Sequence, residues 1–124
     1  MKLFNYGTVA TGDVDLVDTF TTDVFSTIEG AAGYNIDNTT VMAGQRILFT
    51  ADTDIRVKNK IFKVEFINIT NAAGTLNRQI HLVEDTAPVA NQVLLVKQGV
   101  KNVGQSFWFN GEAWALAQQK TKPN

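Results

Sequence analysis

The sequence KIFKVEFINI, Lys60–Ile69, alternates between two sets of side chains over ten residues. Alternation with a period of two is typical of a β-strand that packs one face on a core, whereas an amphipathic helix repeats its apolar positions every three to four residues. Phe62, Val64 and Phe66 form a fully apolar set. We therefore expect these three side chains to face the core and Lys63 and Glu65 to face water.

Further strand-like runs occur on both sides of this segment, separated by turn signals rich in Gly, Asn and Asp. The runs include Arg46–Ala51, Arg78–Glu84 and the continuously apolar Val93–Val96, for which we expect a strand covered on both faces. Strands that recur every 8–12 residues or so indicate a sandwich or a barrel. The sequence therefore predicts an all-β fold, a small antiparallel β-sandwich or barrel that ends in a C-terminal hairpin.

Composition limits the classes of function. The 124 residues predict a single domain, 1–124, and 44% hydrophobic and 19% charged residues are typical of a globular chain. The net charge of −1 gives no basic surface for nucleic acid. No apolar run approaches the roughly 20 residues that span a bilayer, and no secretory signal is apparent. Without cysteine, thiol catalysis and zinc–thiolate sites are excluded.

The most aromatic stretch is SFWFNGEAWAL, Ser106–Leu116. Asn110-Gly111 between two strand-like runs predicts a two-residue type I′ turn, because both central residues of that turn need positive φ. That turn would pair Phe107 with Trp114 across the hairpin. Phe107, Phe109, Trp114 and Leu116 would then share the core face. Trp108 would lie on the other face, in a surface groove, at a subunit contact, against the N-terminal segment or against a ligand.

Ionisable residues suggest few chemical sites. His81 is the only histidine, so a two-histidine metal site is not possible, and no nucleophile-elbow or phosphate-loop motif occurs. Asp52 and Asp54 are candidates for calcium, but the other ligands of an EF-hand loop are missing, and we expect them instead to cap a turn. Asp13, Asp15 and Asp18 are interpreted as a solvated strand face. The sequence predicts no catalytic residues, no metal site and no cofactor, and therefore no enzyme.

The region between Ile36 and Val64 resembles a module of tailed-bacteriophage virion proteins, such as tail-fibre and other tail-associated polypeptides. The pattern of that family is an "IDG" turn, a Val, "aGdRVLv", a polar loop and "NGiYxV". The matching positions here are Ile36-Asp37, Val41, Ala43-Gly44, Arg46–Phe49, Asn59, Ile61-Phe62 and Val64. Trp114 resembles the tryptophan of the later strand that closes such modules. Asn38 and Lys60 depart from the pattern, since each replaces a glycine.

The resemblance implies a structural or interaction module located in the virion, in a tail, fibre, baseplate or neck. Its partners would be other virion proteins and further copies of itself, and the chain would be a fragment or one domain of a longer virion protein. Gly44 and Arg46 would have structural roles, as a turn residue and as an anchor that binds carbonyl groups. Interface candidates are Trp108, Asp52, Asp54 and the loop around Pro88. The alternative is a module that binds host-surface glycans, with Trp108 and Tyr34 as the stacking platform.

Overall fold

The computed structural model describes residues 13–117. Within that range it contains nine strands and one short helix, so the predicted all-β class is confirmed. In chain order the elements are β1 (Leu16–Asp18), α1 (Val24–Thr27), β2 (Asn35–Ile36), β3 (Thr39–Thr40), β4 (Arg46–Phe49), β5 (Ile61–Thr70), β6 (Leu76–Thr86), β7 (Val93–Leu95), β8 (Ser106–Phe109) and β9 (Trp114–Leu116).

A four-stranded sheet in the order β1-β4-β5-β6 forms the centre of the fold. β1 runs parallel to β4, and the other neighbours are antiparallel. Side chains of β4 point alternately to two cores, because Leu48 lies in one buried cluster and Ile47 and Phe49 lie in the other. A strand that is covered on both faces needs apolar residues in succession, and this explains the run Ile47–Phe49.

A three-stranded antiparallel sheet, β9-β8-β7, covers the first face. Its inward side chains, among them Leu94, Phe107 and Trp114, pack with Val17 and Leu48 of the central sheet. The two sheets are also linked through the backbone: Val14, two residues before β1, forms a parallel bridge with Val96, the residue after β7. The architecture is therefore sandwich-like, with one segment that contributes to both sheets.

The second face of the central sheet is covered by α1 and by the β2–β3 hairpin. Asp37 and Asn38 connect β2 to β3 with φ values of 53° and 55°. Two successive residues with positive φ are the mark of a type I′ turn. The replacement of glycine by Asn38 is therefore accommodated, because asparagine tolerates the left-handed conformation.

The predicted register of the aromatic hairpin is wrong by two residues. Trp114 pairs with Phe109 and not with Phe107, and Leu116 pairs with Phe107. Asn110 is not in the left-handed region; its side-chain oxygen instead accepts hydrogen bonds from the backbone N–H groups of Glu112 and Ala113. This capping makes a four-residue loop in place of the two-residue turn.

A slip of two residues preserves the face that each side chain occupies. Phe107, Phe109 and Trp114 are accordingly buried, as predicted, and Trp108 lies on the outer face. Leu116 shares their face but lies at the edge of the sheet and is exposed. The Trp114 indole N–H donates to the carbonyl of Asn59, which ties this hairpin to the β4–β5 connection.

Two other predictions about individual positions are wrong. Val93–Val96 is not covered on both faces, because Val93 and Leu95 are exposed while Leu94 and Val96 are buried. Asp18 is also buried rather than solvated, and its carboxylate accepts hydrogen bonds from the backbone and the hydroxyl of Thr21.

Candidate interaction surfaces

Trp108 lies at the centre of the outer face of the three-stranded sheet. Its cross-strand neighbours are Val93 on β7 and Ala115 on β9, and Leu95 lies in the next row opposite Ser106. Trp108 is 38% exposed and Val93 is 57% exposed. This outer face is therefore a small apolar surface with a tryptophan at its middle, and no charged residue belongs to either row.

Tyr34 does not share a surface with Trp108. Tyr34 packs against the second core, beside α1, whereas Trp108 lies outside the first core. The Tyr34 hydroxyl lies 3.2 Å from the hydroxyl oxygen of Thr21, within hydrogen-bonding distance. The predicted stacking platform of Trp108 and Tyr34 is therefore wrong, because the central sheet lies between the two rings.

Asp52 is an internal cap and not an interface residue. It is only 2% exposed, and its carboxylate accepts hydrogen bonds from the backbone N–H groups of Val24 and Asp54, at 2.9 and 2.8 Å. Val24 is the first residue of α1, so the carboxylate satisfies one of the N–H groups that a helix start leaves without a partner. The capping role predicted for Asp52 is confirmed, and its place among the interface candidates is wrong.

Asp54 lies at the surface and forms an ion pair with Arg56. The Arg56 guanidinium and backbone N–H both donate to the Asp54 carboxylate, and these hydrogen bonds lower the pKa of Asp54 to about 2. The Arg56 guanidinium also lies 4.7 Å from the centre of the Phe25 ring. Asp54 is half-buried, and its carboxylate already pairs with Arg56 within the same loop.

Gly44 and Arg46 have structural positions. Gly44 has a φ of 86°, which favours glycine, and its N–H donates to the carbonyl of Val64. The Arg46 side chain donates to the backbone carbonyl of Asp13 and forms a 2.7 Å ion pair with Asp85. Arg46 therefore binds a carbonyl, as expected, but it anchors the segment before β1 and the end of β6 rather than its own turn. This arginine also lowers the pKa of Asp85.

The loop around Pro88 connects β6 to β7 and remains an interface candidate. Pro88 is half-buried, and the next residue, Val89, is 62% exposed. The Val89 N–H donates to the side-chain oxygen of Gln92, so the loop is closed by its own hydrogen bond.

The most distinctive surface was not predicted from the sequence. β5 and β6 continue as a two-stranded ribbon beyond the first residue of β4, Arg46, and we name residues 66–79 the β5–β6 arm. The last pair between β4 and β5 is Arg46–Lys63, and the last backbone bonds between these regions join Val64 to Gly44 and Gln45. From Phe66 onward, β5 pairs only with β6 among residues 13–117.

The arm exposes apolar side chains on both of its faces. Ile67 and Ile69 lie on one face, and Leu76, which is 64% exposed, lies on the other with Phe66. The guanidinium of Arg78 lies 3.8 Å from the centre of the Phe66 ring. Arg78 is the only charged residue of the arm. A signal for the arm exists in the sequence, since β5 is predicted to be much longer than Arg46–Ala51, its neighbour in the sheet.

The described residues contain no group of three or more His, Cys, Asp or Glu side chains that could hold a metal ion. The lone histidine, His81, lies with its Nδ1 2.9 Å from the carboxylate of Glu29. A depression of about 30 Å³, bordered by Phe20, Asp37 and Lys101, has room for little more than water. Residues 13–117 also include no helix long and apolar enough to cross a membrane.

Comparisons of this chain with protein-family models, with curated proteins and with solved structures gave no match.

Proposed function

We propose that this chain is a structural or interaction module that acts through protein–protein contacts. The observation that carries the proposal is the β5–β6 arm. An isolated two-stranded ribbon is at best marginally stable in water, and sheets usually protect their edges with charges, proline, bulges or covering segments. The arm has only one charged residue, no proline and no bulge, and it exposes isoleucine and leucine side chains. These features fit a segment that is covered by another protein.

The outer face around Trp108 supports the same proposal. Exposed tryptophan surrounded by aliphatic side chains is enriched at the centres of protein interfaces. The rows around Trp108 contain no charged residue and the arm contains only Arg78, so burial of either surface would desolvate few ions.

The proposed setting is the particle of a tailed bacteriophage, and its support is the sequence resemblance between Ile36 and Val64. The positions that carry the resemblance have structural roles here. Gly44 and Asn59 both have positive φ, and Arg46 is held by two partners. In this setting the partners are other virion proteins and further copies of the chain, and no catalytic role is part of the proposal.

Binding of a host-surface glycan is the second candidate, and the exposed ring of Trp108 favours it. A sugar site needs polar groups next to the stacking ring, because sugar hydroxyls must keep hydrogen bonds when they are desolvated. The cross-strand neighbours of Trp108 are Val93 and Ala115, which offer no side-chain hydrogen bonds. We therefore favour a protein contact for this face.

The test is mass spectrometry of purified particles from the virus that carries the gene, combined with lysine cross-linking. We expect the chain in the particle at a fixed ratio to other structural proteins, with cross-links from Lys63, near the base of the arm, to another polypeptide. A gene outside any phage genome, or particles that lack the chain, would overturn the phage setting.

A particle that contains the chain without any cross-link between proteins would contradict the contact itself. Binding of purified chain to host glycans that is lost in Trp108→Ala would instead support the second candidate.

A further inference from the structure

One edge of the arm is open along three consecutive outward-facing positions. The N–H and C=O of Val64 point away from β6, because they bond to Gln45 and Gly44. Outward-pointing groups recur at every second residue of a strand, so those of Phe66, Asn68 and Thr70 point the same way. Within residues 13–117 these three residues have no hydrogen-bond partner on that side. The open β5 edge is therefore a ready template for another strand.

The other edge of the arm is less available. The N–H and C=O of Ile80 bond to Ala31 and Gly30, and the N–H of Leu82 bonds to the Glu29 carboxylate. The segment Glu29–Ala31 thus covers the middle of the β6 edge. Within the arm itself, the β6 edge has free outward groups only at Leu76 and Arg78, one position fewer than the β5 edge, and Arg78 carries a charge.

The open β5 edge has a nearly palindromic sequence, Phe66-Ile67-Asn68-Ile69-Thr70. An antiparallel partner with the same sequence, related by a two-fold axis at Asn68, would place Asn68 opposite Asn68 of the second copy. Ile67 would then lie opposite Ile69, and Phe66 opposite Thr70. The three outward residues would form about six backbone hydrogen bonds across the axis.

This register also makes the side chains complementary. In a β-strand, Ile67 and Ile69 share one face, so four isoleucines from two copies would meet on the same side of the new sheet. No like charges meet, because the five residues are uncharged. The β6 edge lacks this property, since a two-fold pairing there would bring Arg78 to the contact from both copies.

We propose that two copies of this chain associate through the β5 edge of the arm, in antiparallel register centred on Asn68, to form one continuous four-stranded ribbon. The inference rests on the proposed function, and it names the partner as a second copy and the contact as main-chain strand addition. The two-fold axis makes the interface isologous, so it closes at two copies.

The first test uses Asn68→Lys, with Asn77→Lys as the matched control. Both residues are exposed asparagines of the arm, but Asn77 lies on β6, opposite Ile69 and away from the open edge. Lysine at position 68 would face lysine 68 of the second copy and also Arg78 of its own arm, and like charges directly opposite are destabilising. We expect sedimentation velocity to show a dimer for the wild type and for Asn77→Lys, and at least roughly tenfold weaker association for Asn68→Lys.

Ionic strength provides an internal check on the cause. Salt screens repulsion between exposed charges, so high salt should partly restore the Asn68→Lys dimer. The wild-type dimer should respond little, because its interface contains no charges. Thermal unfolding of each variant verifies that the arm substitutions leave the fold intact.

The second test uses the absence of cysteine from the chain. Directly opposed residues in a hydrogen-bonded antiparallel pair have Cα atoms about 5.5 Å apart, which is within the range of a disulfide. Under mild oxidation, Asn68→Cys should give a covalent dimer much faster than Asn77→Cys. Equal rates for the two variants would show that the register is wrong.

A wild-type chain that remains monomeric at high micromolar concentration, with no preferential cross-linking of Asn68→Cys, would overturn the inference. That result would leave the proposed function standing if particles still show cross-links from this chain to a different virion protein. Loss of both the dimer and those cross-links would overturn the two proposals together.

Discussion

Asp52→Ala should destabilise the fold far more than its position in a surface loop would indicate. The Asp52 carboxylate is almost fully buried and accepts two backbone hydrogen bonds, from Val24 and Asp54. A hydrogen bond to a charged group contributes about 1.5–3 kcal/mol, and a lost helix cap costs about 0.5–2 kcal/mol. In the Asp52→Ala variant the Asp54 N–H, which is only half-buried, binds water instead, and this offsets part of the loss. We therefore expect the free energy of unfolding to fall by about 3 kcal/mol.

The assay is equilibrium unfolding in urea, followed by the fluorescence of Trp114, which lies in the core. With an m value near 1.5 kcal/mol/M, a loss of about 3 kcal/mol lowers the midpoint by about 2 M. Asp52→Asn keeps one acceptor oxygen, so its free energy of unfolding should fall by about half as much as that of Asp52→Ala. Asp54→Ala is the control, because it removes only an ion pair at the surface, which water screens. Equal midpoints for Asp52→Ala and Asp54→Ala would refute the capping role.

Three further outcomes are expected. Gly99→Ala should lower the free energy of unfolding by about 1–3 kcal/mol in the same urea assay. The φ of Gly99 is 104°, and a Cβ at this position would clash with the Asp37 carboxylate. The control is Gly33→Ala, which should be neutral because the space around Gly33 is open. Asp85→Asn should make stability depend less on pH in the acid range. Arg46 lowers the pKa of the Asp85 carboxyl in the folded state, so the stabilisation by this carboxylate is fully present above its unfolded pKa of about 4 and is lost as the pH falls through the folded pKa. Thermal melts at several pH values would detect this difference. Trp114→Ala should lower the free energy of unfolding by about 3–5 kcal/mol in urea unfolding, and Trp108→Ala should lower it much less. Comparable losses for the two variants would contradict the assignment of Trp108 to the outer face.

The class of fold was predictable because the signal that defines it is local. Alternation along β5 and the turn residues around it identify strands without knowledge of their neighbours. The same is true of the cap, since Asp52 in a loop is a residue type that binds backbone N–H groups. Alternation alone also predicted which face of the sheet each aromatic side chain of the hairpin occupies.

Register and coverage were not predictable because they depend on competition between distant groups. Asn110 can start a type I′ turn or cap the following N–H groups with its side chain, and only the packing of the hairpin selects the second. Val93–Val96 is apolar throughout, so its sequence does not distinguish one covered face from two. The arm depends on where β4 begins, at Arg46 opposite Lys63, and the sequence of β5 does not contain this property of a neighbouring strand.

The segment from Val14 to Asp18 has a consequence for the order of folding. It pairs in parallel with Val96 in one sheet and with β4 in the other, so it joins contacts that are far apart along the chain. Contacts of large sequence separation form late, because the entropy of loop closure must be overcome first. The ribbon of β5 and β6 needs only a short turn at Asn71–Gly74 and can form within microseconds. Because an isolated two-stranded ribbon is only marginally stable, the arm would form early but transiently, and its open edge would persist only once the sandwich supports it.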